Sequence, residues 1–178
     1  GTIQLSTITQ IAVTSNQTSN VLCNGQQNGS VQLTATGGQS AYTYSQNGIT
    51  YVSSGTFTNL AAGTYIFYAK DAAGCIGSAT IIITQPSALV ATASPTAVSC
   101  FGLDDGMVTA LASGGSAPFT YSIDGTNFTS NTQFTGLAPG NYTVTVNDGN
   151  GCQSTYSTTV VQPSALSLTG VSTPASWD

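Results

Sequence analysis

Four cysteines, at positions 23, 75, 100 and 152, are the side chains here best suited to covalent chemistry. Cys23 and Cys75 are 52 apart (75 − 23), and so are Cys100 and Cys152 (152 − 100). An even number of cysteines in a chain of secreted character reads as a disulfide framework, and one bridge within each pair is the expected arrangement. A loop of that size contributes ~4 kcal/mol at most through chain entropy. Reduced thiols are the plainer alternative. The remaining candidates are acidic. Asp71 and Asp148 each precede a Gly-Cys turn, where a carboxylate accepts backbone amides two residues on. Asp104-Asp105-Gly106 raises calcium, but an ion needs six to eight oxygens and the matching stretch of the first half is Gln27-Asn28-Gly29. A solvated turn is the expectation there, with no metal ligand and no cofactor assigned.

The missing residues narrow the function further. The 178 residues include one Lys or Arg, six Asp or Glu and no His, 4% charged against about a quarter in ordinary soluble domains. Without His, Glu or Arg most mechanisms lose their acid, base and anion-holding groups, so an enzyme is not expected and no catalytic residue is named. A net charge of −5 with Lys70 as sole cation disfavours nucleic acid and anionic membranes as partners. Aliphatic runs such as Ile81 to Ile83 fall far short of the ~20 apolar residues of a membrane helix, so no membrane insertion is expected. No targeting segment is visible, and the sequence reads as a mature piece of something longer. A surface of hydroxyls and amides suits an extracellular protein.

These residues are positioned by a repeat. Residues 23 to 86 superpose without a gap on 100 to 163, an offset of 77, with 23 identities in 64 positions. Each copy alternates short runs of Val, Ile, Leu, Tyr and Phe with turn residues at the spacing of a β-sandwich. Val31, Leu33 and Ala35 share one face of a strand, and Gly37-Gly38 leads into a second strand with Tyr42 and Tyr44. Asn47-Gly48 and Asp124-Gly125 are type I′ hairpin signals. Phe57 and Leu60 mark a short strand, Tyr65, Phe67 and Ala69 the inward face of the longest, and Ala79 to Thr84 the last, which Gln85-Pro86 ends. The expected fold is all-β, two tandem immunoglobulin-like sandwich repeats of about 77 residues, at 10–86 and 87–163. Ser164-Ala165-Leu166 repeats Ser87-Ala88-Leu89, so 164–178 reads as the start of a truncated third repeat or a C-terminal tail. A strand map of this kind puts Cys23 and Cys75 at opposite ends of the sandwich, in tension with the bridge expected between them.

The motifs Cys23-Asn24-Gly25, Gly29-Ser30-Val31, Gly37-Gly38, Tyr42-Thr43-Tyr44, Leu60 to Tyr65, Asp71 to Cys75 and Gln85-Pro86 recur in order 77 residues on. They resemble the SprB-type repeat of large surface adhesins in gliding Bacteroidota, over roughly residues 10 to 166. The resemblance implies a secreted cell-surface filament, exported by the type IX system and used in adhesion and gliding motility. On that reading the chain is a stalk or spacer whose partners are neighbouring repeats of the same long chain. The alternative is a carbohydrate-binding module that contacts surface polysaccharide.

Two further sets of residues have structural readings. Leu60-x-x-Gly63-x-Tyr65 and Leu137-x-x-Gly140-x-Tyr142 resemble a tyrosine corner, with the hydroxyl returned to upstream backbone. On the outward face of the long strand the first copy has Ile66, Tyr68 and Lys70 where the second has Thr143, Thr145 and Asn147, and Ile82 stands where the second has Thr159. Ile66, Tyr68 and Ile82 thus form a candidate contact patch on one repeat alone.

Overall fold

In the computed structural model, residues 9–170 are described; they contain twelve strands and no helix. The first six are β1 (Ala12–Ser19), β2 (Gly29–Thr36), β3 (Thr43–Ser45), β4 (Thr56–Leu60), β5 (Gly63–Lys70) and β6 (Ile76–Ile83). They form two antiparallel sheets, ordered β1-β2-β4 and β3-β5-β6. This is the strand order of an immunoglobulin-like sandwich stripped to three strands a side. The second six repeat it: β7 (Val90–Thr96), β8 (Gly106–Ser113), β9 (Thr120–Ser122), β10 (Gln133–Leu137), β11 (Gly140–Asn147) and β12 (Gln153–Val160), in sheets β7-β8-β10 and β9-β11-β12.

Period-two patterning explains why each sheet has one dry face. In β2, Val31 and Leu33 are buried; in β5, Phe67 and Ala69 are; between them lie Ile11, Val13, Val21, Leu60 and Ile83. The equivalent core of the second set is built from Ala91, Val98, Val108, Ala110, Tyr121, Val144, Val146 and Val160. Phe67 faces Phe57 at 4.9 Å and Tyr65 at 5.9 Å between ring centroids. Val144 takes the place of Phe67, so the second core is built with smaller side chains. Gly29 opens β2 where a Cβ would come within 2.8 Å of both the Leu60 carbonyl and Ile83, and Gly106 repeats that close approach against Leu137 and Val160.

Two compact units result. The first runs to Ala88 and includes Gly114–Ser116 and Asn150–Cys152; the second takes Leu89–Ser113, Ala117–Gly149 and the chain from Gln153 on. The tips of two turns in the second sequence repeat therefore group with the first unit.

Several expectations need correction. The last strand begins at Ile76, earlier than Ala79, because β5 and β6 pair along their full length from Lys70↔Ile76 to Gly63↔Ile83. Tyr42 precedes β3, and its hydroxyl donates to the Gly37 carbonyl instead. Asn47-Gly48 and Asp124-Gly125 do not make type I′ turns. Only the glycines have positive φ, 72° and 75°, and the loop after β3 closes farther out, through the Tyr44↔Val52 bridge and its counterpart Tyr121↔Thr129. No strand forms over residues 161–170, and the rest of the expected third-repeat start or tail, 171–178, lies outside the described residues.

Candidate functional site

The cysteines do not pair as their spacing suggested. Cys23 is bonded to Cys152, with Cα atoms 5.7 Å apart, and Cys75 and Cys100 are reduced and exposed. The reason lies in the strand map. Cys23 sits in the β1–β2 turn, at the end of the sandwich where β4 stops and β5 begins, whereas Cys75 sits in the β5–β6 turn at the other end. Eight residues of β5 span about 24 Å at the usual rise, several times the reach of a disulfide. The same strand geometry keeps Cys100 from Cys152. The turn that carries Cys152 groups instead with the first unit, where Asn150 Nδ2 donates to the Leu22 carbonyl at 2.9 Å and to Ser116 Oγ at 3.1 Å.

The turn that presents Cys23 is held by side chains the sequence had not singled out. Gln85 Oε1 accepts the Gly25 amide at 2.8 Å, Asn24 Nδ2 donates to the Pro86 carbonyl at 3.0 Å, and Asn28 Oδ1 accepts the Leu22 amide at 3.0 Å. The first and last of these recur in the second unit, where Gln162 Oε1 accepts the Gly102 amide at 3.1 Å and Asp105 accepts the Ser99 amide at 2.9 Å. The Gln-Pro pair at each strand end thus has two roles: proline stops the ladder, and glutamine caps the turn that carries the leading cysteine of its own repeat. Its recurrence at the 77-residue offset was the available signal.

The acidic residues are likewise occupied by backbone. Asp71 is buried and accepts the amides of Gln39 at 2.9 Å and Cys75 at 2.8 Å. The Gln39 amide, followed by those of Cys75, Ala73 and Gly74, holds its carboxyl below the usual range against the opposing effect of burial. Its counterpart Asp148 is also buried. Asp105, considered for calcium, has its carboxylate on Ser99: the hydroxyl, then the amide, lowers its pKa. Asp124 is held far below the ordinary value, first by the Asn127 side-chain amide, then by the Asn127 and Thr126 backbone amides and the Ser122 hydroxyl. In the first unit Asn47 replaces that carboxylate and accepts from Ile49 and Thr50, each at 2.9 Å. Among the described residues no group of three or more His, Cys, Asp or Glu is placed to hold a metal ion.

Tyr65 donates its hydroxyl to the Ala61 carbonyl at 3.0 Å, and Tyr142 donates to Ala138 at 2.9 Å, four residues upstream in each case. On the outer face of β5 and β6, Ile66 is 49% exposed and Ile82 62%, whereas Tyr68 is half-buried with its ring over Gly48. Ile66 and Ile82 are therefore open while Tyr68 packs on its own unit. The sole cation, Lys70, lies 4.3 Å from the centre of the Tyr51 ring. The Tyr51 hydroxyl is buried without a hydrogen-bond partner.

An all-β chain with the same six-strand sandwich twice, capped by the same turn chemistry each time, defines a tandem immunoglobulin-like repeat module. The profile of the SprB repeat matches the sequence twice, over residues 15–50 and 92–128. No curated protein matches the sequence. Among solved structures, the chain is similar to a C-terminal 282-residue fragment of intimin in complex with the intimin-binding domain of the translocated intimin receptor. The identity is 18%, the coverage 88% of this chain and 64% of that one, and the TM-score 0.44. A Dscam chain is 15% identical over 85% of this chain and 47% of its own, with TM-score 0.34. An amphioxus IgVJ-C2 molecule is 15% identical over 86% and 97%, with TM-score 0.33. The chain spans less than two thirds of the intimin fragment and about half of the Dscam chain. No helix among the described residues is long and apolar enough to cross a membrane.

Proposed function

We propose that this pair of SprB repeats is a structural segment of a secreted cell-surface adhesin, a spacer that holds an adhesive region away from the cell in adhesion and gliding motility. It is exported by the type IX route and has no catalytic role. The observation that carries the reading is the use of the polar side chains. Asp71, Asp105, Asp124 and Asn47 accept amides of their own turns, Gln85 and Gln162 cap the turns at Gly25 and Gly102, and Tyr65 and Tyr142, acting as tyrosine corners, donate to their own backbone. Groups that would orient a ligand are engaged in making turns rigid. Ile66, Tyr68 and Ile82 act, on this reading, as a contact patch toward another part of the parent protein or a neighbouring chain. Replacing Ile66 and Tyr68 by Thr then reduces that association, and unchanged association removes the patch from the account.

Glycan arrays and co-sedimentation with agarose and cellulose test the spacer reading. The oxidised chain is expected to give no saturable binding. Saturable binding that is lost on replacing an exposed aromatic such as Tyr156, which is 43% exposed, supports the polysaccharide-binding alternative and overturns the spacer.

A further inference from the structure

The Cys23–Cys152 bond uses the leading cysteine of one repeat and the trailing cysteine of the other. At the 77-residue offset Cys100 corresponds to Cys23 and Cys75 to Cys152. The two cysteines left reduced and exposed are thus one of each kind, the same complementary pair that the bridge joins. We propose that Cys100 of one copy of this chain forms a disulfide with Cys75 of a second copy, repeating the Cys23–Cys152 junction head to tail.

Three observations support the pairing. The Cys100 turn is built like the Cys23 turn: Gly102 N–H donates to Gln162 Oε1 as Gly25 does to Gln85, and the Cys100 carbonyl accepts the Leu103 amide at 3.3 Å as Cys23 accepts Gln26 at 3.1 Å. A hollow opens beside Cys100, lined by Ser99, Phe101, Pro163 and the segment Ser164 to Leu166. In the first unit, Ser116 and Asn150, which flank the bridged Cys152, line a hollow with Leu22, Gln85 and Pro86. Finally, the flanking residues match in polarity. The existing bridge joins a turn with Asn24 and Gln26 to one with Asn150 and Gln153, polar against polar. Cys100 is flanked by Phe101, 57% exposed, and Leu103, 45% exposed; the Cys75 turn carries Ala72, Ala73 and Ile76, the last 55% exposed. Apolar meets apolar, and the Asn150 hydrogen bond, absent where Ala73 stands, is replaced by burial of Phe101, Leu103 and Ile76.

The bond forms by thiol–disulfide exchange with a small-molecule disulfide such as oxidised glutathione. One protein thiolate displaces glutathione to give a mixed disulfide, and the second displaces the other glutathione; two electrons and two protons pass from the thiols to the glutathione pair. Because one copy offers Cys100 and the next Cys75, the contact is heterologous and each addition leaves one of each kind free, so growth is open-ended.

The test incubates the full chain, with its native bridge intact, at raised concentration in a glutathione redox buffer. Multimers are then separated on non-reducing gels and their linkages assigned by mass spectrometry of chymotryptic peptides. The expected result is a ladder in which the Cys75–Cys100 linkage exceeds either homotypic linkage by about tenfold, the ratio that ~1.4 kcal/mol of preferential docking gives. Cys100→Ser stops the ladder, and Phe101→Ser, which keeps both thiols, lowers its yield several-fold. A chain that stays monomeric with both thiols reduced overturns the proposal. So do linkages in the statistical proportion of random collision, or a Phe101→Ser yield equal to wild type.

Discussion

The bridge makes a sharp mechanical prediction, because it encloses most of both cores. Cys23 and Cys152 are 129 positions apart, from before β2 to just before β12, so of the twelve strands β1 and β12 fall outside the closed loop. Pulled from its ends, the oxidised chain can surrender those two strands and little else. At ~3.5 Å per extended residue the loop hides about 450 Å of contour length, which reduction releases. Bridges within each repeat would hide 52 positions apiece, about 180 Å each, and would let both units unfold in the oxidised state. Single-molecule force spectroscopy with and without reductant separates the cases. The expected oxidised trace shows no full unfolding event for either unit, and reductant adds two. Two shortened unfolding events in the oxidised trace would refute the reasoning. The same loop is worth up to about 5 kcal/mol in the chain-entropy treatment, so reduction also lowers the thermal midpoint.

Other perturbations act on single groups. Asp71, Asp105 and Asp124 are all held below the ordinary carboxylate value of 3.8, so the stability they contribute is complete above that value and is lost as pH falls through their folded-state pKa values. With no histidine present, urea midpoints should be nearly flat between about pH 5 and 7 and fall steeply only below about pH 4. Tyr51→Phe removes a buried hydroxyl that has no partner, at a position where the second repeat has Phe128, and should raise stability by up to about 1 kcal/mol in chemical denaturation. Phe67→Ala should cost about 3–5 kcal/mol, whereas Val144→Ala at the equivalent site should cost about half as much, since less volume is removed from an equally buried position; equal losses would contradict the packing described.

Much of the frame was legible because each signal appears twice. Val31, Leu33, Phe67 and Ala69 announce their buried faces by alternation, and the 77-residue offset shows that two sandwiches share one plan. The strand map also placed Cys23 and Cys75 at opposite ends, and that geometry holds. The pairing failed because equal spacing favoured a local partner, and spacing contains no information about which turn of the other repeat comes near. Asn47-Gly48 misled for a related reason. The dipeptide signals a two-residue turn, but Ser45 and Ser122, two positions earlier, accept the glycine amides at 2.9 Å and fix a wider loop. The role of Gln85 and Gln162 was hidden because a glutamine cap acts across 60 residues of sequence, from Gly25 and Gly102.

The most direct test of the spacer account is replacement in the displayed protein. Residues 9–170 are exchanged for two unrelated immunoglobulin-like modules of equal length, and adhesion and gliding of the cells are measured. Unchanged adhesion and speed are predicted, since in the proposed spacer role length and rigidity are what the segment supplies. Loss of adhesion with normal display on the surface would contradict the account and assign the adhesive contact to the repeats themselves.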